Sequence, residues 1–249
     1  MTLVYPAGDF EAFLTAILET WVHRAPEWDI VPDTGGWFGP EGPRRAVTAD
    51  PESARRILDG LETHSGPAAR RVFGEAFRHG GRGREASLAE FVRACVRYRR
   101  TVLDREADPV VREVLRRSRA VRAEAHRFLG LVRFQSVSGA GWYGRFEPEH
   151  DVLGMLAEPF DRRMAGQDWM LHDASRSTAW VVREGVGELL TGVRIDPAGP
   201  GLEPHEAAVQ NLWRTYFSTI AIRERTNPRL QRSKMPKKTW KNLVERPGE

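Results

Sequence analysis

Leu131-Val132-Arg133-Phe134-Gln135-Ser136-Val137, and after the turn Ser138-Gly139-Ala140-Gly141 the run Trp142-Tyr143-Gly144-Arg145-Phe146, is where this chain changes its period. Before it, apolar residues recur every three or four positions. Here they alternate, with Val132 and Phe134 on one face of an extended chain and Arg133 and Gln135 on the other. The small-residue run between the two stretches is a turn, so they form a hairpin. Pro148 then opens a predicted helix with Val152, Leu153, Leu156, Phe160 and Met164 inward, which Pro159 should kink or restart. Residues 169–172 and 179–182 read as a second strand pair joined by Asp173-Ala174-Ser175-Arg176, and 186–195 as a further strand. The middle of the chain is therefore a β-β-α-β-β segment over 130–196.

Everything upstream reads as helical. Residues 3–5 suggest a short edge strand. Asp9 then caps a helix over about 10–24, with Phe10, Phe13, Leu14, Ile17, Leu18 and Trp21 at helical spacing. Residues 25–48 are rich in Pro and Gly and read as a long loop. Helices follow over about 51–62 and 66–78. Ser87 and Glu90 form an expected capping box for a helix over about 88–105. Asp108 and Pro109 open another over about 109–129, in the favoured cap-then-proline order. In that helix Val111, Val114, Ser118, Val121, Ala125 and Phe128 share one stripe, while Arg112, Arg116 and Arg119 lie opposite. The arginine face is either a solvated surface or a second phosphate-contacting one.

Downstream, Pro197 to Gly201 mark a linker. A final long helix runs from Pro204 to about 223 with the stripe Ala208, Leu212, Trp213, Tyr216, Phe217 and Ile220, and Asn227-Pro228 ends it. A basic tail follows, with a short helix over about 237–244. The fold class is α+β: a mainly helical part at 1–129, a small sheet part at 130–196, and a long helix plus basic tail at 204–249 on the same globular unit.

Composition excludes several classes. Of 249 residues, 41% are hydrophobic and 29% charged, which is neither a disordered nor a fibrous balance. No apolar run approaches the roughly 20 residues that cross a bilayer. The N-terminus does not pattern as a signal peptide, so a cytoplasmic protein is expected. A single cysteine, Cys95, excludes an internal disulfide and a cysteine-built metal or iron–sulfur site. No metal or cofactor is expected. The net charge is +4, but residues 223–249 hold nine basic and three acidic side chains, a net of +6, while the other 222 residues net −2. All four lysines, Lys234, Lys237, Lys238 and Lys241, lie in that tail; the other 34 basic residues are arginines. Lysine confined to one segment marks a local demand for compact ammonium groups, which meet phosphate as point charges.

Several stretches resemble one bacterial family. They are Arg133-Phe134-Gln135 after His126-Arg127-Phe128-Leu129-Gly130; Phe146 through Pro148, His150 and Asp151 to Leu153; and Trp169 through His172-Asp173 to Arg176. The most specific are Arg225-Thr226-Asn227-Pro228-Arg229-Leu230-Gln231 and Met235-Pro236-Lys237-Lys238-Thr239-Trp240-Lys241. Val4-Tyr5 to Phe13-Leu14 and Val47-Thr48-Ala49-Asp50 agree as well. The family is described as probable DNA-metabolism proteins of unknown biochemical activity. Its members accompany a putative DNA modification or repair protein of the radical S-adenosylmethionine type, and in some a similar domain is fused to a uracil-DNA-glycosylase-like module. The resemblance implies a role in DNA repair or base modification, with DNA and the radical enzyme as partners and no membrane.

The residues themselves offer three constellations. Arg229, Arg232, Lys234, Lys237, Lys238 and Lys241 form a cationic segment in which Trp240 either stacks on a base or docks the tail. Arg133 and Gln135, with Arg145 and Tyr143 on the neighbouring strand, form a polar sheet face that is either solvated or a nucleic-acid-binding surface. His126, His150, Asp173 and Arg176 are the catalytic candidates, although the histidine spacings match no local metal motif. The leading expectation is a DNA-binding accessory protein. The alternatives are a DNA-processing hydrolase or lyase built on those four residues, and a protein–protein adaptor without DNA contact.

Overall fold

A computed structural model describes residues 1–25, 27–35, 42–139, 141–195, 201–220 and 227–245. The chain is α+β and divides into two compact units, Met1–Val121 and Arg122–Glu249.

The first unit is built on a sheet as well as helices. Strand β1 (Thr2–Pro6) is the centre of a three-stranded parallel sheet, flanked by β2 (Asp29–Asp33) and β3 (Arg44–Ala46). The expected edge strand is thus a central one, and part of the expected loop is the sheet's two margins. The reason is local. β2 carries Pro32 and β3 is three residues of Arg-Arg-Ala, so neither has a strand's usual signature. Only an edge tolerates such sequences, because one side of its ladder needs no partner. Helices α1 (Phe10–Val22), α2 (Pro51–Ser65), α3 (Pro67–Phe77) and α4 (Arg84–Tyr98), the 3-10 turn η1 (Arg99–Asp104) and the start of α5 (Pro109–Leu131) complete the unit.

Capping sets most of these starts. Asp9 accepts from the Ala12 N–H at 2.9 Å, Asp50 from the Ser53 N–H at 3.1 Å, and Asp108 from the Val110 N–H at 2.9 Å. The Ser87–Glu90 box does not form. The helix begins four residues earlier, at Arg84 after Gly83, and Ser87 donates to the Gly83 carbonyl inside the first turn. What fixes the earlier start is Arg84, which reaches back to the Phe77 and His79 carbonyls, and Glu85, which accepts from the buried Tyr5 hydroxyl at 2.9 Å. The core is aromatic at its centre: Phe13 lies 5.4 Å from Tyr5 and 5.1 Å from Phe77.

The second unit holds a five-stranded sheet in chain order: β4 (Phe134–Val137), β5 (Gly141–Phe146), β6 (Trp169–Asp173), β7 (Thr178–Arg183) and β8 (Val186–Thr191). All neighbours are antiparallel except β5 and β6, which run parallel through the crossover helix α6 (Leu153–Arg163). Phe134 points into the core, with its ring 5.1 Å from Phe160 and 6.0 Å from Trp169. Gly141 turns into β5 at φ 83°, and a Cβ there would meet the Asp168 carbonyl oxygen at 2.3 Å. No side chain fits, because the Asp168 carbonyl accepts from the Trp142 N–H and must come close.

Three boundaries differ from expectation. Helix α6 starts at Leu153 rather than Pro148, because the main chain of residues 148–150 bonds to side chains instead of continuing a helix. It also runs through Pro159 without ending. Asn227-Pro228 also opens a helix: Asn227 caps α8 (Pro228–Lys234), accepting from the Leu230 N–H at 3.0 Å, while the expected end of the preceding helix near 223 lies outside the described residues. Between them, α7 (Glu206–Ile220) turns much of its apolar stripe to solvent, with Leu212 72% and Tyr216 54% exposed. The side chains of Phe217 and Ile220 lie outside the described residues. A 3-10 turn, η2 (Lys237–Asn242), closes the tail.

Cys95 is packed on α4 and 1% exposed. Burial pushes its thiol up to about 11, against a small opposing effect from the Ser65 hydroxyl. Since the thiolate is the nucleophile, the native protein should resist iodoacetamide at pH 8, with a rate roughly a hundredfold below that of the urea-unfolded chain. Mass spectrometry of the time course checks this, and equal rates in the two states would contradict the packing.

Candidate functional site

Two polar clusters and one basic segment lie within the second unit. The first cluster follows from the parallel register of β5 on β6, which sets Tyr143 opposite Met170 and Arg145 opposite His172. Tyr143 and Arg145 are two residues apart on one strand and share a face, and so does His172. The Tyr143 hydroxyl lies 2.9 Å from His172 Nδ1, with both residues buried. Arg145 bonds the Glu147 carboxylate through Nη2 at 3.0 Å. Its Nε is buried with no hydrogen-bond partner. Burial, and then the Arg145 charge, push the His172 imidazole below its ordinary range; the Val193 main chain and Glu147 oppose this. Burial holds the Tyr143 phenol above its ordinary range, against Arg145. At neutral pH the cluster is a neutral imidazole, a protonated phenol and a guanidinium.

The second cluster is a clamp. Asp173, fully buried, takes the N–H groups of Ser175 and Arg176 on one oxygen and the Arg176 guanidinium, at 3.1 Å, on the other. Arg176 also donates to the carbonyls of Pro148 and Glu149, at 3.3 and 2.7 Å. From the other side Glu124, on α5, accepts the main-chain N–H groups of Glu149 and His150, at 3.1 and 2.7 Å. Burial raises the Asp173 carboxyl, with Arg176 opposing. Of the four catalytic candidates, His150, Asp173 and Arg176 meet here, whereas His126 is exposed on α5 two residues beyond Glu124. The Asp173 oxygens and the Arg176 guanidinium are taken up in fixing the segment before α6. His172 and Asp173 point to opposite faces of the sheet, so they make no dyad.

The basic segment is docked, not loose. Trp240 is 9% exposed and donates from Nε1 to the Met235 carbonyl at 2.9 Å, and Lys237 lies over its ring. Of its two expected roles, this burial supports docking. Arg229, Lys234 and Lys237 are exposed. The side chains of Arg232, Lys238 and Lys241 lie outside the described residues. The turn η2 rests against β5, the strand of Tyr143 and Arg145. Arg133 precedes β4 and is not a free cation. It bonds Glu245 at 2.6 and 3.3 Å and sits over the Trp213 ring. Glu245, whose side chain is 1% exposed, also accepts from Trp213 Nε1 at 3.1 Å. Gln135, half-buried, stands opposite Tyr143 in the register. Sequence reasoning missed Glu245 by counting it only as one acid of the tail, and missed Glu124 by reading its helix for apolar and arginine stripes.

The first unit contributes a cleft of about 830 Å³ lined by Trp28, Asp33, Arg44, Arg82 and Glu90 among others. The buried Arg117 ties its glycine-rich margin, donating to the Gly81 and Arg82 carbonyls at 3.1 and 3.0 Å. Acids and arginines both line the cleft, so it carries no strong field of one sign. Among the described residues no group of three or more His, Cys, Asp or Glu could hold a metal ion, and no helix is long and apolar enough to cross a membrane.

Residues 82–245 match a family model described as a domain of unknown function, DUF4130. No curated protein and no solved structure matches the chain.

The Glu245 carboxyl reports whether the tail is docked. Burial alone would raise it, but the Arg133 hydrogen bonds, with the main chain and Trp213, outweigh burial and hold it below its ordinary range. A depressed acid contributes stability that is complete above its unfolded value, about 4.3, and is lost as pH falls through the folded one. The Trp213 indole proton resonance should therefore titrate with a midpoint below 4.3, and Arg133→Ala should move that midpoint upward. A midpoint unmoved by Arg133→Ala would remove the pair from the docking interface.

Proposed function

This chain belongs to the DUF4130 family, and from that premise we propose that it is a DNA-binding protein of DNA repair or base modification. It acts in the cytoplasm as an accessory to a partner that performs the chemistry, of the radical S-adenosylmethionine or glycosylase type. The observation that carries this reading is the docked basic segment. The chain's lysines occupy one stretch whose anchors, Trp240 and the Arg133–Glu245 pair, hold it on the second unit while Arg229, Lys234 and Lys237 remain exposed. A loose cationic tail would spend ordering entropy on every contact; a docked one has met that cost in folding. The resemblance of these stretches to probable DNA-metabolism proteins supplies the partner class.

The DNA-processing reading is less well supported by the same geometry. Asp173 and Arg176 satisfy each other and the main chain around them, and His126 stands apart. A general acid or base must have a proton-transfer path open to substrate, and that clamp offers none. The adaptor reading rests on the exposed stripe of α7 and needs no lysine.

Lysine replacement separates these readings. Neutralising a phosphate releases condensed counterion, so log affinity falls with log salt by about 0.7–0.9 per contact. Changing Lys234, Lys237, Lys238 and Lys241 together to Ala should weaken binding to single-stranded and duplex oligonucleotides alike and flatten the salt slope by about 3 units. Trp240→Ala should lower thermal stability as well as affinity, because the ring is an anchor. Unchanged affinity and slope in the lysine variant would sink the DNA reading and promote the adaptor.

A further inference from the structure

We propose that the chain forms a two-fold dimer in which the edge strand β8 pairs antiparallel with β8 of a second copy, joining two five-stranded sheets into one. The two edges of that sheet differ. Along β4 and the residue after it the edge is covered: the Ser138 N–H donates to the Gly201 carbonyl at 3.1 Å, the Glu203 N–H to the Ser136 carbonyl at 3.0 Å, and the Ser136 N–H to the Glu206 carboxylate at 3.0 Å. Along β8 nothing among the described residues does this, and Val186 through Leu189 are exposed without a break. An open edge is a template for another strand, and proteins usually blunt it with proline or charged side chains. The margins of the first unit's sheet carry Pro32 and Arg44-Arg45, whereas β8 has no proline, no lysine and Glu188 as its one charge.

Which groups the edge offers follows from the turn before it. Glu184 and Gly185, at φ 52° and 78°, join β7 to β8 in the type I′ manner, so Arg183 and Val186 are a hydrogen-bonded pair. By the alternation of an antiparallel ladder, Val186, Glu188 and Leu190 then turn their main-chain groups to β7, and Gly187, Leu189 and Thr191 turn theirs outward. Self-pairing centred on Leu189 satisfies all the outward groups at once: Leu189 meets Leu189 of the partner subunit, and Gly187 meets Thr191 of the partner subunit. Centring on Glu188 would set two carboxylates face to face. Centring on Leu190 would set Gly187 against Val193, whose N–H already donates to Ser177. Side chains and charge suit the Leu189 register. On the inner face, which α6 covers over β6 and β7, Leu189 is 55% exposed beside its register partner Trp180. The Trp180 ring occupies the space that a Cβ on Gly187 would need, so the apolar face runs out to the edge and a second copy continues it. The antiparallel sense also brings the Glu184 turn of one copy to Arg194 of the partner subunit; both residues are exposed and make no ion pair among the described residues. The dimer does not depend on the DNA reading, because β8 lies outside the lysine-bearing segment.

The test is sedimentation velocity of the full chain over roughly 1 to 500 µM, the range in which an interface of modest area associates. A monomer–dimer equilibrium is expected. Leu189→Lys, at an exposed position, sets two ammonium groups across the axis and should weaken association at least about tenfold. Leu212→Lys, on the exposed stripe of α7, should leave it unchanged. A cysteine reads the register. Paired residues of this kind have Cα atoms about 5.5 Å apart, within disulfide reach, and the native Cys95 is buried. Under mild oxidation Leu189→Cys should link two chains about tenfold faster than Thr191→Cys, which faces Gly187 of the partner subunit. A chain that stays monomeric throughout overturns the proposal, and that wild-type result needs no variant. Association lost in Leu212→Lys and kept in Leu189→Lys would move the contact to α7 and overturn it as well. Equal cross-linking of the two cysteine variants would remove the register and the pairing with it.

Discussion

Two strands running the same way, β5 and β6, decide what the second unit can present. A parallel pair needs a crossover, and α6 supplies it by laying Leu153, Leu156 and Phe160 on the sheet's inner face. The register that results is discrete. Because side chains alternate with period two, a slip of one residue would turn Trp169 and Leu171 out of the core and His172 into it. The aromatic contacts among Phe134, Phe160 and Trp169 prevent that slip, and so hold Arg145, Tyr143 and His172 on the opposite face. The polar face is thus specified from behind, by the apolar one.

The same logic explains why the segment before α6 is irregular and still rigid. Residues 147–152 must carry the chain from the end of β5 to the start of a crossover helix, and they do so without regular main-chain hydrogen bonds of their own. Glu124 and Arg176 provide substitutes from two sides, one accepting N–H groups and the other donating to carbonyls. Buried main-chain polar groups must be satisfied somewhere, and here the charged side chains do it. That use accounts for the bonds these side chains make, with Glu124 and Asp173 buried and the Arg176 guanidinium shared between a carboxylate and two carbonyls.

The strand and helix pattern of the second unit was legible in the sequence because its alternation is strong. Phe134 inward with Gln135 outward, and the β-β-α-β-β order, follow from period two interrupted by a helical stretch. The sheet of the first unit was not legible. Its outer strands are short, Pro-bearing or arginine-rich, and they exist only because β1 offers them a ladder on each side. The pairing of Tyr143 with His172 was hidden for a different reason. The residues are 29 positions apart, and which strand neighbours which, and in which direction, depends on the crossover rather than on either strand's own sequence. Glu245 was hidden likewise, since its meaning depends on Arg133, 112 residues earlier. Trp240 could be read from sequence only as one of two roles, and its burial favours the docking one.

Arginine and lysine divide the electrostatic work. The ion pairs described above all use arginine, whose planar fork can bind a carboxylate and a carbonyl at once, as Arg176 and Arg133 both do. These charges are paired within the fold. Lysine, a compact and strongly hydrated ammonium on a flexible stem, makes a poorer structural clamp and a better mobile contact for a phosphate chain. On the proposed DNA-binding reading, a sequence that uses arginine everywhere else and confines lysine to one docked segment separates the two tasks in space. The net charge of the whole chain therefore understates the field at that segment. On that segment Arg229, Lys234 and Lys237 are exposed.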